Sequence, residues 1–418
     1  MASCGASGGR ILRTRPVFGT HHRGERMRLD PVEATAADVL PRLRAVLDGT
    51  GPALGLGGAD AAPVGGADAA PGGGADAAPV EAPEGTAAVI TTSGSTGLPK
   101  SVVLSRAALL ASADATAARI GQGAWLLALP PGYVAGLQVM IRSLRAGHEP
   151  IVLAGRFEPA AFAEAARALP AGARYTSLVP AQLQRLLAAS DDDEVAWSLR
   201  AFETILVGGQ ALPAATLERA RDAGARVVRT YGSTETCGGC VYDGRPLDGV
   251  GITIVCGEVR LSGPTLADGY LGDPELTDRA FATDADGTRW YRTGDAGVVD
   301  DGVLRVSGRI DNVIVSGGVN VSLDRVERVV REVPGLASAV VVGVPDERWG
   351  EASVIVATRS DALRRSASAR LDEARRAVGA ALGAPARPAR LLLVDELALL
   401  PSGKPDRAAI RRAAAARA

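Results

Sequence analysis

Residues 87–100 read AAVITTSGSTGLPK. The first six are small and β-branched, the composition of a strand. The rest is a turn of glycines and hydroxyls that ends on a lysine. Gly94 and Gly97 let backbone N–H groups turn toward an anion. Thr92, Ser93, Ser95 and Thr96 add hydroxyl donors, and Lys100 adds a compact charge. A Walker A loop carries Gly immediately before its Lys. Pro99 stands there instead, with its φ fixed and no N–H to donate. Taken alone, the stretch is either a phosphate-holding loop of another kind or a Ser/Gly/Thr surface loop.

Outward from this loop, short β-rich runs alternate with Ala/Leu/Arg stretches at helical spacing. The runs are WLLALP (125–130), PIVLAG (150–155), TILVG (204–208) and RVVRTY (226–231), and residues 157–168 and 214–223 are amphipathic. That alternation predicts a mixed α/β fold built on parallel sheets. Around 257–310 the rhythm shifts to short strands and turns, which predicts a small β-rich subdomain. After Asp311 a further α/β alternation follows: DRVERVVREV, SAVVVGVP, SVIVATR, a helix near 371–383 and RLLLVDEL. The division expected is a large N-terminal domain over 27–307, a hinge at 308–312 and a small, mobile α+β domain over 313–418. Residues 31–48 have helical spacing interrupted by Pro41. Residues 1–26 read as a disordered tail. Residues 51–84 read as a low-complexity insert, in which GADAAP recurs at 58–63, 66–71 and 74–79 without a large apolar side chain.

At 418 residues the chain has the length of two or three domains, and 47% hydrophobic residues suffice for a sizeable core. Forty-six basic residues against 47 acidic give a formal charge of −1, no footprint for nucleic acid or an anionic membrane. No apolar run reaches the ~18 residues of a membrane span, and no secretory h-region is present, so a cytoplasmic location is expected. Cys4, Cys237, Cys240 and Cys256 do not form a disulfide framework. Cys237 and Cys240 lack a second Cys/His pair and read as packed thiols rather than a metal site. With three histidines, His21, His22 and His148, a Ser-His-Asp triad or a multi-histidine zinc site is disfavoured. Lysine occurs twice only, at Lys100 and Lys404, both in Gly/Pro-rich turns. Elsewhere the chain uses arginine, so the ammonium groups stand out as phosphate-handling positions.

Four further motifs follow the first. Tyr231-Gly232-Ser233-Thr234-Glu235-Thr236 combines an aromatic for base stacking, a tight turn and a carboxylate suited to a hard cation such as Mg²⁺. Tyr291-Arg292-Thr293-Gly294-Asp295, then Gly308-Arg309-Ile310-Asp311, offers a turn-borne Asp that can accept from two ribose hydroxyls or simply cap its loop. Ser316-Gly317-Gly318-Val319-Asn320-Val321 permits close backbone approach by a ligand. Pro401-Ser402-Gly403-Lys404-Pro405-Asp406-Arg407 is a turn carrying the second lysine.

In this order and at these separations the five motifs resemble the core motifs of the adenylate-forming superfamily, over roughly residues 85–410. LPPGYVAGLQVMIRSLRAG (129–147), YTSLVPAQL (175–183), LVGGQALP (206–213) and YGSTETCGGCVYDGRPLDGV (231–250) look like its o-succinylbenzoate–CoA ligases of menaquinone biosynthesis. The resemblance implies ATP, Mg²⁺ and CoA as cofactor and co-substrates, o-succinylbenzoate as the acid, and no nucleic-acid or membrane partner; a homo-oligomer is left open. It implies that Thr92–Lys100 hold the β/γ-phosphates and that Gly208, Gly209 and Gln210 line the adenine and acyl pocket. Tyr231, beside Gly232, stacks on the base, Thr234 contacts the α-phosphate and Glu235 binds Mg²⁺. Asp295 holds the ribose, helped by Arg309. Lys404 bridges carboxylate and α-phosphate, Tyr133, Gln138 and Ser177 contact the acyl group, and Asp311 is the hinge. Ser316, Gly317 and Gly318 then reach a pantetheine tunnel.

Two positions depart from the family. Ser101 replaces the usual Gly after the loop lysine, and Gly132-Tyr133 stands where many relatives carry His. Arg142 either pairs with a substrate carboxylate or sits on a solvated helix face. The other readings are a different aryl- or acyl-CoA ligase, an enzyme loading a separate carrier protein, and a non-catalytic nucleotide-binding relative, for which a second lysine would have no use.

Overall fold

The computed structural model describes residues 26–57, 81–93, 99–400 and 403–417. The tail through residue 25, the GADAAP repeats, Gly94, Ser95, Thr96, Gly97, and the Pro401-Ser402 pair lie outside the described residues. The chain forms two compact units. One takes in Met1–Gly209, Ala220–Thr253 and Arg260–Thr293, and the other Gln210–Arg219, Ile254–Val259 and Gly294–Ala418.

Two of the sheets among the described residues lie wholly within the first unit. A seven-stranded sheet has a parallel centre in which Ala124–Leu127, Arg174–Leu178, Thr204–Val207 and Val227–Ser233 lie side by side. Gly238–Tyr242 then runs back antiparallel beside Val227–Ser233, and Arg245–Pro246 forms the edge. Ala124–Leu127 and Thr204–Val207 are buried along their whole length, the continuous apolar pattern of parallel strands covered on both faces. The six-stranded sheet is mixed. Arg26–Val32, Ala53–Leu56 and Thr86–Ser93 run parallel, while Pro99–Ser105 and Gly269–Tyr270 add antiparallel strands.

Three expectations change here. Residues 31–48 are not one interrupted helix: Arg26–Val32 is a strand and Ala36–Leu47 an unbroken helix. Pro41 is exposed within that helix, which continues past it although its missing N–H leaves one intrahelical bond unmade. The insert of 51–84 is too wide. Ala53–Leu56 is a fully buried strand, and Glu81–Pro83 pairs antiparallel with the start of Arg26–Val32. The small size and glycine-rich flanks of ALGL hide a strand that only its neighbours on both sides stabilise. The helix near 371–383 begins ten residues earlier, as Asp361–Leu382, with Ser360 capping Leu363 N–H.

In the second unit, Val319–Ser322, Val313–Ser316, Gly350–Thr358 and Val340–Asp346 form a sheet in that order, and Arg390–Val394 runs parallel to Gly350–Thr358. Alternation along the strands sends Val341 and Ile355 to one face, under helices Leu323–Arg331 and Asp361–Leu382. It sends Val340, Val342, Val354 and Val356 to the other, under helix Arg407–Ala415. Contacts group Gly294–Arg309 with this unit rather than with the residues before it. The reason is local: Asp295–Asp300 pairs with Val303–Arg309, and Arg328 of the first helix donates to Val306 O.

Candidate active site

In the first unit, Lys100 and Glu235 meet around a residue the motifs did not single out. Thr92 stands opposite Lys100 across the antiparallel pair Thr86–Ser93 and Pro99–Ser105. Gly269–Tyr270 pairs with the other side of Pro99–Ser105, opposite Val103 and Val102. That brings the Tyr270 ring to 5.5 Å from Lys100 Nζ, a cation–π distance. The Tyr270 hydroxyl donates to Glu235 Oε1 at 2.9 Å, and both residues are buried. Ala267 N–H donates to the Glu235 carbonyl at 2.8 Å, which ties the two segments at the backbone as well.

Glu235 owes its position to a rigid turn. Strand Val227–Ser233 has an irregularity at Tyr231/Gly232, after which Thr234–Thr236 forms one 3₁₀ turn and Cys237 adopts φ 52°. Gly232 is required there, because a Cβ would lie 2.1 Å from Gly238 O. Thr236 closes the turn, accepting from Ser233 N–H at 2.9 Å and donating to Gly238 O at 2.7 Å. Gly208 is required for a similar reason, since its Cβ would meet Thr230 Oγ1 at 2.3 Å. Gly209 follows at φ +81°, while Gln210 groups with the second unit.

The residues expected on the acyl side lie along helix Val134–Arg145, just before it, and in strand Arg174–Leu178. Tyr133 is the residue before that helix. Gln138 is buried and donates to Leu109 O at 3.1 Å, and its Oε1 has no partner among the described residues. Ser177 is buried in Arg174–Leu178. Arg142, one turn beyond Gln138, is 7% exposed, so the solvated-face alternative falls. Its guanidinium lies 5.4 Å from the Trp125 ring, with Nε unpartnered among the described residues, in a small recess that the Asp114–Arg145 ion pair also lines. Burial pulls its pKa down, opposed by the nearby Tyr242.

In the second unit, Asp295 and Arg309 pair at 3.6 Å, and Arg309 Nε and Nη2 each reach the Asp311 carboxylate at 2.9 Å. Ser316 is buried at the end of its strand. Gly317 and Gly318 form the following turn at φ +57° and +80°, and a Cβ on Gly317 would lie 2.6 Å from the Trp349 ring. Lys404 is exposed on a turn closed by Leu400 N–H to Lys404 O at 2.8 Å. Cys237 and Cys240 are buried free thiols, and burial pushes the Cys240 thiol up to about 12. Among the described residues no group of three or more His, Cys, Asp or Glu could hold a metal. No described helix is long and apolar enough to cross a membrane.

A family model described as AMP-binding enzyme matches residues 28–271, and one described as AMP-binding enzyme C-terminal domain matches residues 325–404. The chain belongs to the AMP-binding enzyme family. A Mycobacterium tuberculosis member, "Probable 2-succinylbenzoate--CoA ligase", is 38% identical over 389 residues, 91% of this chain and 96% of that one. Among solved structures, an Escherichia coli MenE variant with bound OSB-AMS is 29% identical, with a TM-score of 0.64 over 79% of this chain and 69% of that one. The Bacillus subtilis o-succinylbenzoate CoA synthetase (MenE), in complex with the acyl-adenylate intermediate OSB-AMP, is 28% identical. Its TM-score is 0.64 over 78% of this chain and 69% of that one. Tyr270, at the edge of the first match, is the residue of this AMP-binding enzyme that sequence reasoning passed over. Its only local signal is an aromatic between two glycines in turn-rich sequence.

Proposed function

We propose that this chain is an ATP-dependent acid–thiol ligase that joins o-succinylbenzoate to CoA. The similarity along 91% of this chain and 96% of a ligase named for that acid carries the reading. The acid's carboxylate attacks the α-phosphorus of ATP and expels pyrophosphate, giving an acyl-adenylate. The CoA thiol then attacks the acyl carbon, and AMP leaves. The enzyme's contribution is alignment of the reacting groups and stabilisation of charge growing on phosphate oxygens.

In the first step Lys100 and the hydroxyl-bearing turn Thr92–Gly97 hold the β/γ-phosphates. Tyr231 stacks on adenine beside Gly208, Gly209, Gln210 and Gly232, and Thr234 donates to the α-phosphate. Asp295 accepts from the ribose hydroxyls, with Arg309 holding that carboxylate. Lys404 bridges the attacking carboxylate and the α-phosphate. Glu235 fits Mg²⁺: a hard cation that keeps several waters takes one or two carboxylates plus substrate phosphates, and Glu235 is one buried carboxylate held in place by Tyr270. Held by Glu235, the ion would supply positive charge against the phosphate oxygens. Tyr133, Gln138 and Ser177 flank the acid. In the second step a rotation about Asp311 withdraws Lys404 and presents Ser316, Gly317 and Gly318 to the pantetheine arm.

A pyrophosphate-release screen across o-succinylbenzoate, benzoate and fatty acids tests the substrate. Release that is strongest with o-succinylbenzoate, with a thioester formed on adding CoA, is expected. No stimulation by o-succinylbenzoate removes the assignment.

A further inference from the structure

The turn that carries Lys404 is closed by short-range bonds: Leu400 N–H to Lys404 O and Gly403 N–H to Leu400 O, both 2.8 Å, and a bridge between Leu399 and Pro405. A longer tie comes from Arg407, the first residue of helix Arg407–Ala415. Its Nη1 donates to Val341 O at 3.0 Å, and its Nη2 lies 2.9 and 2.8 Å from the two oxygens of Glu327. Glu327 is 5% exposed and also takes Arg331 Nη2 at 2.8 Å and Val341 N–H at 2.9 Å.

Asp324, nearly one turn earlier on the same helix, joins the cluster at 3.6 Å from Arg407 Nη2. It accepts the Arg309 backbone N–H at 2.7 Å and Asn312 Nδ2 at 2.8 Å. Gly308, at φ +138°, makes that approach feasible, since a Cβ there would lie 2.5 Å from Asp324 Cβ. Two carboxylates on helix Leu323–Arg331 therefore grip both the 308–312 segment and the segment bearing Lys404.

We propose that Arg407 is a positioning residue for Lys404. Its ion pair with Glu327 fixes the base of the Lys404 turn for adenylation, and Asp324 couples that base to the 308–312 backbone. The proposal rests on the reading that Lys404 acts in adenylation. A lysine ammonium rides on a flexible four-carbon stem, so its placement depends on the backbone beneath it. An Arg–carboxylate contact adds geometric specificity that a point charge lacks. Removing Arg407 leaves Glu327 still paired with Arg331 and Val341 N–H, so the expected result is displacement of the turn rather than a bare buried charge.

The test is Arg407→Gln in the wild-type and Lys404→Ala backgrounds, with the two half-reactions measured separately. A misplacement of about 1 Å can cost ~10²-fold in rate, so R407Q is expected to slow pyrophosphate formation about 10- to 100-fold. Thioester formation from supplied acyl-adenylate should stay within about twofold of wild type, and R407K should restore part of the lost rate. In the K404A background R407Q should cost nothing further. Equal losses in both half-reactions, or an R407Q loss that multiplies with that of K404A, overturns the proposal. If K404A itself leaves adenylation intact, the role given to Lys404 fails. If K404A is crippled and R407Q matches wild type, the positioning role alone fails. Should R407Q not fold, Glu327→Gln, which keeps an acceptor of similar size, carries the same comparison.

Discussion

Replacing Tyr270 by Phe removes the hydroxyl that reaches Glu235 and keeps the ring beside Lys100. Hydrogen bonds to charged groups contribute about 1.5–3 kcal/mol, so Y270F should lower kcat/KM for ATP about tenfold or more at limiting Mg²⁺. Leu at the same position also loses the cation–π contact and should fall a few-fold further. Pyrophosphate release measured over a grid of ATP and Mg²⁺ concentrations checks both, and an unchanged Y270F would show that Glu235 needs no orienting partner. Lys100 and Glu235 could be singled out from their motifs, Lys100 because it begins a strand after a glycine-rich stretch and Glu235 because it lies in a tight turn. Tyr270 could not, since its place beside them comes from pairing with a strand some 170 positions earlier in the chain. For Arg142 the residue type left two readings open, and burial against Trp125 removes the solvated helix face.

Among the elements, the strand Ala53–Leu56 has the largest consequence for how the chain tolerates change. Leu54 and Leu56 are fully buried between parallel neighbours. Leu54→Ala should cost about 2–5 kcal/mol, the range for truncating a core leucine. Exchanging residues 58–80 for a Gly/Ser spacer of equal length should leave the melting temperature and turnover close to wild type, because that stretch offers no large apolar side chain to a core. Thermal melting of the two variants separates strand from insert, and a collapse of the spacer variant would contradict the linker reading. Long apolar strands such as TILV were legible because burial on both faces demands an uninterrupted run. ALGL was lost in its glycine-rich surroundings, and the early start of Asp361–Leu382 was masked by its Arg- and Ser-rich first turns. The fold class followed from the rhythm of strands and helices. Which strands neighbour each other did not, because register depends on partners far away in sequence.

For the molecule as a whole, the residues assigned to one nucleotide divide between two compact units: Lys100, Tyr231 and Glu235 in one, Asp295, Arg309 and Lys404 in the other. If the second unit turns between half-reactions, Lys404→Ala should slow adenylation by ~10²–10³, the cost of losing one charge-stabilising donor. Thioester formation from acyl-adenylate should be largely spared. Single-turnover assays of each half-reaction decide it, and matching losses would remove the rotation. Asp311 enters this question already engaged by Arg309 through two 2.9 Å contacts, so any turning about it must break or carry along that pair.

The scarcity of lysine has a practical side. An amine-selective acylating reagent finds two side-chain targets in the whole chain, one exposed on its turn at Lys404 and one half-buried beside an aromatic ring at Lys100. Mass spectrometry of two peptides then reads the labelling of each unit separately, and every arginine stays silent.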